Sequence, residues 1–131
     1  MAEEFQSRKL HEIGKCEENC CAGRLHVIFT PEEKRLLHAQ IFRDCEFNRI
    51  DFSNADLRES RFLNVALTGC DFSSADLRGT SFIACDLHGA NFTGVVLGRT
   101  RFDACWLIGA LGLSSSMSDY VRENGGLLWL S

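Results

Sequence analysis

Residues 40–109 read QIFRDCEFNRIDFSNADLRESRFLNVALTGCDFSSADLRGTSFIACDLHGANFTGVVLGRTRFDACWLIG. Every fifth residue in this stretch is Phe or Leu: Phe42, Phe47, Phe52, Leu57, Phe62, Leu67, Phe72, Leu77, Phe82, Leu87, Phe92, Leu97, Phe102 and Leu107. Two positions before each centre the chain is mostly small, as at Cys45, Ala55, Ser60, Val65, Cys70, Ala75, Thr80, Cys85, Ala90, Val95, Thr100 and Cys105. Residues two apart in an extended backbone face the same way, so both columns point into one core. The residue between them is largely polar and points out, as at Asp51, Asp56, Asp76 and Asn91. The two residues after the centre are rich in Gly, Ser and Asn, which is turn chemistry. Each pentad is therefore one short extended side followed by one corner.

A second period sets the number of sides. At a spacing of twenty residues Phe42, Phe62, Phe82 and Phe102 share a column, Phe52, Phe72 and Phe92 a second, and Leu57, Leu77 and Leu97 a third; Phe47 heads a fourth with Leu67, Leu87 and Leu107. Four pentads per turn place like over like in coils stacked at the strand spacing of about 4.8 Å. The fourteen pentads of residues 40–109 then make about three and a half coils, a rod roughly 17 Å long. This is an all-β solenoid, a four-sided β-helix.

The runs Ala55-Asp56-Leu57-Arg58-Glu59, Ala75-Asp76-Leu77-Arg78-Gly79, Cys85-Asp86-Leu87-His88-Gly89 and Ala90-Asn91-Phe92-Thr93-Gly94 closely resemble the A(D/N)LxX motif of the pentapeptide-repeat family. The resemblance implies a right-handed coil. It also implies that members often dimerise through C-terminal elements, and that some mimic DNA to protect or inhibit a type II topoisomerase. Departures at Val65-Ala66, Thr80-Ser81, Val95-Val96 and Cys105-Trp106 keep their apolar centres and alter only the outer surface.

The chain outside the repeat divides into an N-terminal segment, residues 1–39, and a C-terminal segment, residues 110–131. A short helix is expected from Glu3 to Lys15 and a short strand from Arg24 to Phe29, where Leu25, Val27 and Phe29 alternate with polar residues. Thr30, Pro31 and Glu33 spell a capped helix start, predicting a capping helix from Pro31 to about Ala39 with Leu36 and Leu37 turned to the open end of the core. Ser114 to Ser116 offer a second cap, Met117 to Asn124 a second short helix, and Gly125-Gly126 its stop. Leu127, Leu128, Trp129 and Leu130 follow as an apolar tail that must cover something. It either caps its own last coil near Trp106 and Tyr120 or makes a dimer contact.

The formal net charge of −4 over 131 residues gives no basic footprint for nucleic acid or an anionic membrane, and no run is apolar enough to span a bilayer or serve as a secretory signal. The chain reads as cytoplasmic, with the cysteines of the repeat reduced in the core. His11, Cys16, Cys20, Cys21 and His26 supply zinc-ligand chemistries, but C-x3-CC is not the usual spacing, so they read either as a metal site or as small packing residues.

No nucleophile motif, phosphate loop or paired acids in a cleft is present in the sequence, and neither catalysis nor a cofactor is expected. Asp51, Asp71 and Asn91 stack on one face, but turn backbone and solvent are expected to take their oxygens. Asp86 and His88 flank Leu87 with no nucleophile in reach. The face carrying Phe42, Phe62, Phe82 and Phe102 differs: Ile41, Leu63 and Ile83 lie among Arg43, Arg61 and Arg101, the composition of a protein interface. A protein partner docks there, or a terminal segment of the same chain, residues 5 to 29, covers it. The expected function is that of a non-catalytic interaction scaffold. Topoisomerase modulation by DNA mimicry, which the resemblance brings in, would need an acidic face. Residues 40–109 hold nine acids against seven arginines on a short rod, and this charge balance disfavours it.

Overall fold

The computed structural model describes residues 3–5 and 29–128. Strands β1 (Glu3–Phe5), β2 (Gln40–Arg43), β3 (Arg61–Leu63), β4 (Ser81–Ile83) and β5 (Arg101–Asp103) form one parallel sheet in that order. From β2 onward the register advances by twenty residues per coil: Phe42 lies on Phe62, Phe62 on Phe82 and Phe82 on Phe102. The other three sides keep the same register through single parallel bridges, such as Glu46 with Ala66, Asp51 with Asp71 and Asp56 with Asp76. Four sides per coil follow directly. The faces are numbered here by their centres: Phe42 begins face 1, Phe47 face 2, Phe52 face 3 and Leu57 face 4.

The two Phe columns are fully buried and stacked. Ring centroids are 4.5 Å apart for Phe42 and Phe62, 4.9 Å for Phe62 and Phe82, and 5.2 Å for Phe52 and Phe72, with planes within 13° of parallel. Between columns the rings meet edge to face, as for Phe52 and Phe62 at 87° and Phe72 and Phe82 at 84°. Both geometries suit the aromatic quadrupole, so the columns pack along the rod and across it.

The corners follow one rule. Every fifth residue from Ala39 to Gly109 has positive φ, and ten of them are not glycine. The left-handed residue is always the second after the centre, and its conformation lets the centre carbonyl accept the next side's N–H, as from Ile50 to Phe47 and from Ala55 to Phe52. Sequence patterning located the corners, although glycine marks only a third of them.

The small inward column does more than fill space. Thr80 Oγ1 donates to the Leu57 carbonyl at 2.7 Å, Thr100 Oγ1 to Leu77 at 2.7 Å and Ser60 Oγ to Leu37 at 2.6 Å. Cys70, Cys85 and Cys105 make the same bond through their thiols, to Phe47, Phe62 and Phe82. In each case the acceptor lies 23 residues earlier, on the coil before. These buried donors are thereby satisfied, and each ties one coil to the last.

Two N-terminal expectations change. The helix α1 spans only Pro31–Lys34, although its capping box forms as the spacing predicts: the Glu33 N–H donates to Thr30 Oγ1 and the Thr30 N–H to Glu33 Oε1. Leu37 is already a face 4 centre, 2% exposed, and Ala39 is already a left-handed corner whose N–H donates to Arg58. The coil pattern thus starts one pentad before Gln40 and cuts the helix short. Leu36, the outward residue of that pentad, is 67% exposed instead of lying on the core. At the N-terminus Glu3–Phe5 is a strand paired with β2, in place of the expected helical start. The rest of that helix, and the expected strand up to residue 28, lie outside the described residues. Phe29, at the end of the latter, is buried with its ring 5.6 Å from Phe52.

At the other end, β6 (Cys105–Trp106) pairs with β7 (Gly126–Leu127), and helix α2 (Ser115–Glu123) comes between them in the chain. Ser114 caps α2 by accepting the Met117 N–H, and Val121 is its fully buried residue. The Tyr120 hydroxyl accepts the Thr100 N–H at 2.8 Å and donates to the Thr100 carbonyl at 3.1 Å, standing in for the missing next coil.

Candidate interaction surface

Face 1 presents two outward columns, Ile41, Arg61, Ser81, Arg101 and Arg43, Leu63, Ile83, Asp103, which alternation in β2 to β5 turns away from the Phe column. Leu63 sits directly over Ile83, and Ile41 lies opposite Arg61. Ile41, Leu63 and Ile83 are half-buried, while Arg61 and Arg101 are exposed. Arg101 forms a two-pronged ion pair with Asp103, Nε to Oδ2 at 2.9 Å and Nη2 to Oδ1 at 3.0 Å. That pair lowers the Asp103 carboxyl and raises the guanidinium. The result is an aliphatic pair, Leu63 over Ile83, with Ile41 in the neighbouring column and Arg43, Arg61, Arg101 and Asp103 around them. Backbone pairing of β1 with β2 extends the sheet at its N-terminal edge.

The C-terminal residues gather at the opposite end. Trp106, 43% exposed, lies beside Leu127, 40% exposed, and the Leu107 N–H donates to the Leu127 carbonyl at 2.7 Å. Leu128 is half-buried against the core, and Tyr120 is bonded to Thr100. Residues 126–128 thus turn back on their own last coil. Trp129 and Leu130 lie outside the described residues, as do His11, Cys16, Cys20, Cys21 and His26. Among the described residues no group of three or more His, Cys, Asp or Glu is placed to hold a metal ion.

The remaining faces spend their polar groups locally. On face 3, Asp51 Oδ1 accepts from the N–H and hydroxyl of Ser53, Asp71 from the Ser73 N–H, and Asn91 from the N–H and hydroxyl of Thr93. Lys34 Nζ adds an ion pair to Asp51 at 3.2 Å. On face 4, Arg58 grips Asp56 and Arg78 grips Asp76, each through Nε and Nη2. The side-chain bond from the arginine holds each of these carboxyls below the usual range, and both guanidinium groups are raised in return. Arg99 reaches across two coils to Glu59 at 2.9 Å, over Gly79, where a Cβ would lie 2.4 Å from the Glu59 carboxylate.

On face 2, His88 Nδ1 lies 2.5 Å from Asp86 Oδ1. Burial pushes the Asp86 carboxyl up, but its bonds with His88 outweigh this and leave it lowered. Cys85, the nearest thiol in sequence, points into the core and bonds to Phe62, so this pair faces no nucleophile. Sequence reasoning missed the hydroxyl and thiol donors of the inward column. The signal was the choice of Ser, Thr and Cys over Ala at positions 60, 70, 80, 85, 100 and 105.

The family model described as a pentapeptide repeat region matches residues 35–111, starting at the pentad that holds Leu37. No curated protein matches the chain. Among solved structures it is similar to the pentapeptide repeat protein Rfr23 from the cyanobacterium Cyanothece 51142, at 21% identity and a TM-score of 0.53, with 55% of this chain and 49% of that one covered. QnrB1, a plasmid-mediated fluoroquinolone resistance protein solved after trypsin treatment, matches at 23% identity and a TM-score of 0.48, over 59% of this chain and 50% of that one. HetL from the cyanobacterium Nostoc sp. strain PCC 7120, a pentapeptide repeat protein involved in heterocyst differentiation regulation, matches at 21% identity and a TM-score of 0.26, over 55% and 40%. The chain spans about half the length of the first two.

Proposed function

Because the chain belongs to the pentapeptide-repeat family, a match covering residues 35–111, we propose that it is a non-catalytic scaffold in the cytoplasm that docks a protein partner on face 1. The observation that carries this reading is the strip of Ile41, Leu63 and Ile83 with Arg61 and Arg101 beside it, held flat by a parallel sheet. Aliphatic centres with arginine at the margin are the composition of protein interfaces, and a rigid sheet loses little entropy on docking. Faces 3 and 4 bind their own turns and ion pairs, which leaves them less to offer a partner. The arginine beside each aspartate on face 4 also weakens the case for a DNA mimic, which needs unpaired negative charge along the rod.

Two copies associate through the C-terminal end, where Trp106, Leu111 and Leu127 expose large apolar side chains at the last coil and its cap. Cys70, Cys85 and Cys105 are buried as thiols, which suits a reducing compartment, and no helix among the described residues is long and apolar enough to cross a membrane. Affinity capture from the source cell with the wild-type chain and with Leu63→Asp, Ile83→Asp tests the face. We expect the double variant, folded by circular dichroism, to lose the wild-type partner. Equal recovery by both proteins would remove face 1 from the reading.

A further inference from the structure

Cys85 and Cys105 are consecutive members of one inward column, and Val65 separates them from Cys45. Residues on either side of them are register partners, Ile83 with Asp103 and Asp86 with Trp106, so the two cysteines face each other across adjacent coils. That register puts their Cα atoms about 4.8 Å apart, within the span a disulfide bridges. The Cys85 N–H donates to Cys105 Sγ at 3.4 Å, so the Cys105 side chain leans toward its neighbour. Cys70 stands in a different column, on the side that leads to Phe72, where its neighbours one coil away are Ile50 and Ala90.

We propose that Cys85 and Cys105 form a dithiol that a low-molecular-weight disulfide oxidises to a covalent staple between the last two coils. Entry is from the C-terminal end. The register partner of Cys105 on the outer side is Gly126, which carries no side chain and belongs to the two-residue strand β7. Solenoids open from their ends, so brief release of β7 uncovers Cys105 without melting the coils below.

In the closed coil Cys85 and burial keep the Cys105 thiol protonated; once β7 has released, it gives its proton to solvent, and its thiolate attacks one sulfur of the reagent RSSR, forming a mixed disulfide and expelling RS−, which leaves as RSH. The Cys85 thiolate then attacks Cys105 Sγ, forms the intramolecular bond and expels the second RSH. The protein loses two protons and two electrons, and RSSR takes them up as two thiols. The staple closes a loop of one coil and adds a constraint that the unfolded chain must carry.

Oxidised glutathione is the probe. The full folded chain is exposed to it at mildly alkaline pH, alkylated, cut with trypsin without reduction and mapped by mass spectrometry. Cleavage at arginine puts Cys85 on the peptide 79–99 and Cys105 on 102–122, each as its sole cysteine. The expected product is these two peptides linked, with a denaturation midpoint raised in the oxidised protein and restored by dithiothreitol. Cys85→Ser should stop the reaction at a glutathione adduct on Cys105. The variant is expected to fold, because Ser60 makes the same carbonyl bond in an equivalent position. Recovery of both peptides alkylated and unlinked from folded protein would overturn the proposal, as would a linkage that forms only in denaturant.

Discussion

Ala84 occupies a corner with φ of 54°, a conformation that costs an L-residue because its Cβ crowds the following carbonyl. Its column neighbour Asn64 tolerates that region, and glycine holds the equivalent corner at Gly79 and Gly89. Ala84→Gly is therefore expected to raise stability by about 0.5–1 kcal/mol, the left-handed strain less the extra freedom of the unfolded glycine, read from the urea midpoint. A lower midpoint would mean that these corners are not strained. The charged ladder on face 4 makes a second prediction at this scale. Asp56 and Asp76 have lowered folded pKa values, first through the bonds from Arg58 and Arg78, so their contribution is present above the unfolded value of 3.8 and fades as pH falls below it. Melting temperature should hold from neutral pH to about pH 4 and drop below that, less steeply in Arg58→Met, Arg78→Met. Both arginines are exposed, so the difference is modest. The Phe and Leu centres were legible in the sequence because one face of a pentad admits only large apolar groups. The hydrogen-bonding task of Thr80 or Cys70 was not, since Ser, Thr, Cys and Ala are about equally small, and the acceptor lies 23 residues away.

At the scale of elements, the solenoid had to solve its two ends, and these were the parts hardest to read. Parallel register is legible because a twenty-residue period repeats through face 1 as Phe42, Phe62, Phe82 and Phe102. The strand Glu3–Phe5 has no such period, and its partner lies far along the chain. The helix over Pro31–Lys34 was legible from its capping box, but its end was not, because Leu37 fits an amphipathic helix and a pentad centre equally well. Tyr120 shows how the C-terminal cap holds. Its hydroxyl alone satisfies both backbone groups of Thr100, so Tyr120→Phe should cost about 1–3 kcal/mol. Hydrogen exchange of the Thr100 and Phe102 amides, the latter bonded to Asn124, should quicken before that of Phe72. Unchanged exchange at Thr100 would show that the rest of α2 and β7 hold the cap alone.

For the whole molecule, the apolar residues exposed at the C-terminal end set the expected assembly. Trp106 and Leu127 lie side by side on face 2, with Leu111 at the end of face 3. Light scattering should give twice the chain mass of 14.7 kDa for the wild type and a single chain for Trp106→Ser, Leu127→Ser. A wild-type monomer at high concentration would end the dimer proposal. The candidate site was partly legible at this scale: column arithmetic brought Ile41, Leu63 and Ile83 to one face, but their half-buried state is a property of the stacked coils, in which Ile83 lies between Leu63 and Asp103, and could not be read from any one pentad.

The twenty-residue register also constrains how such a chain can change length in evolution. Inserting or deleting one whole coil leaves every downstream residue on the face it held, so the Phe columns, the arginine-aspartate ladder and the aliphatic strip all keep their alignment. A change of five residues keeps the alternation of centre and corner, but it turns everything beyond it by one face and shears every column in two, the stacked Phe rings included. Rod length is therefore free to drift in quanta of one coil, while the composition of a face is inherited nearly intact.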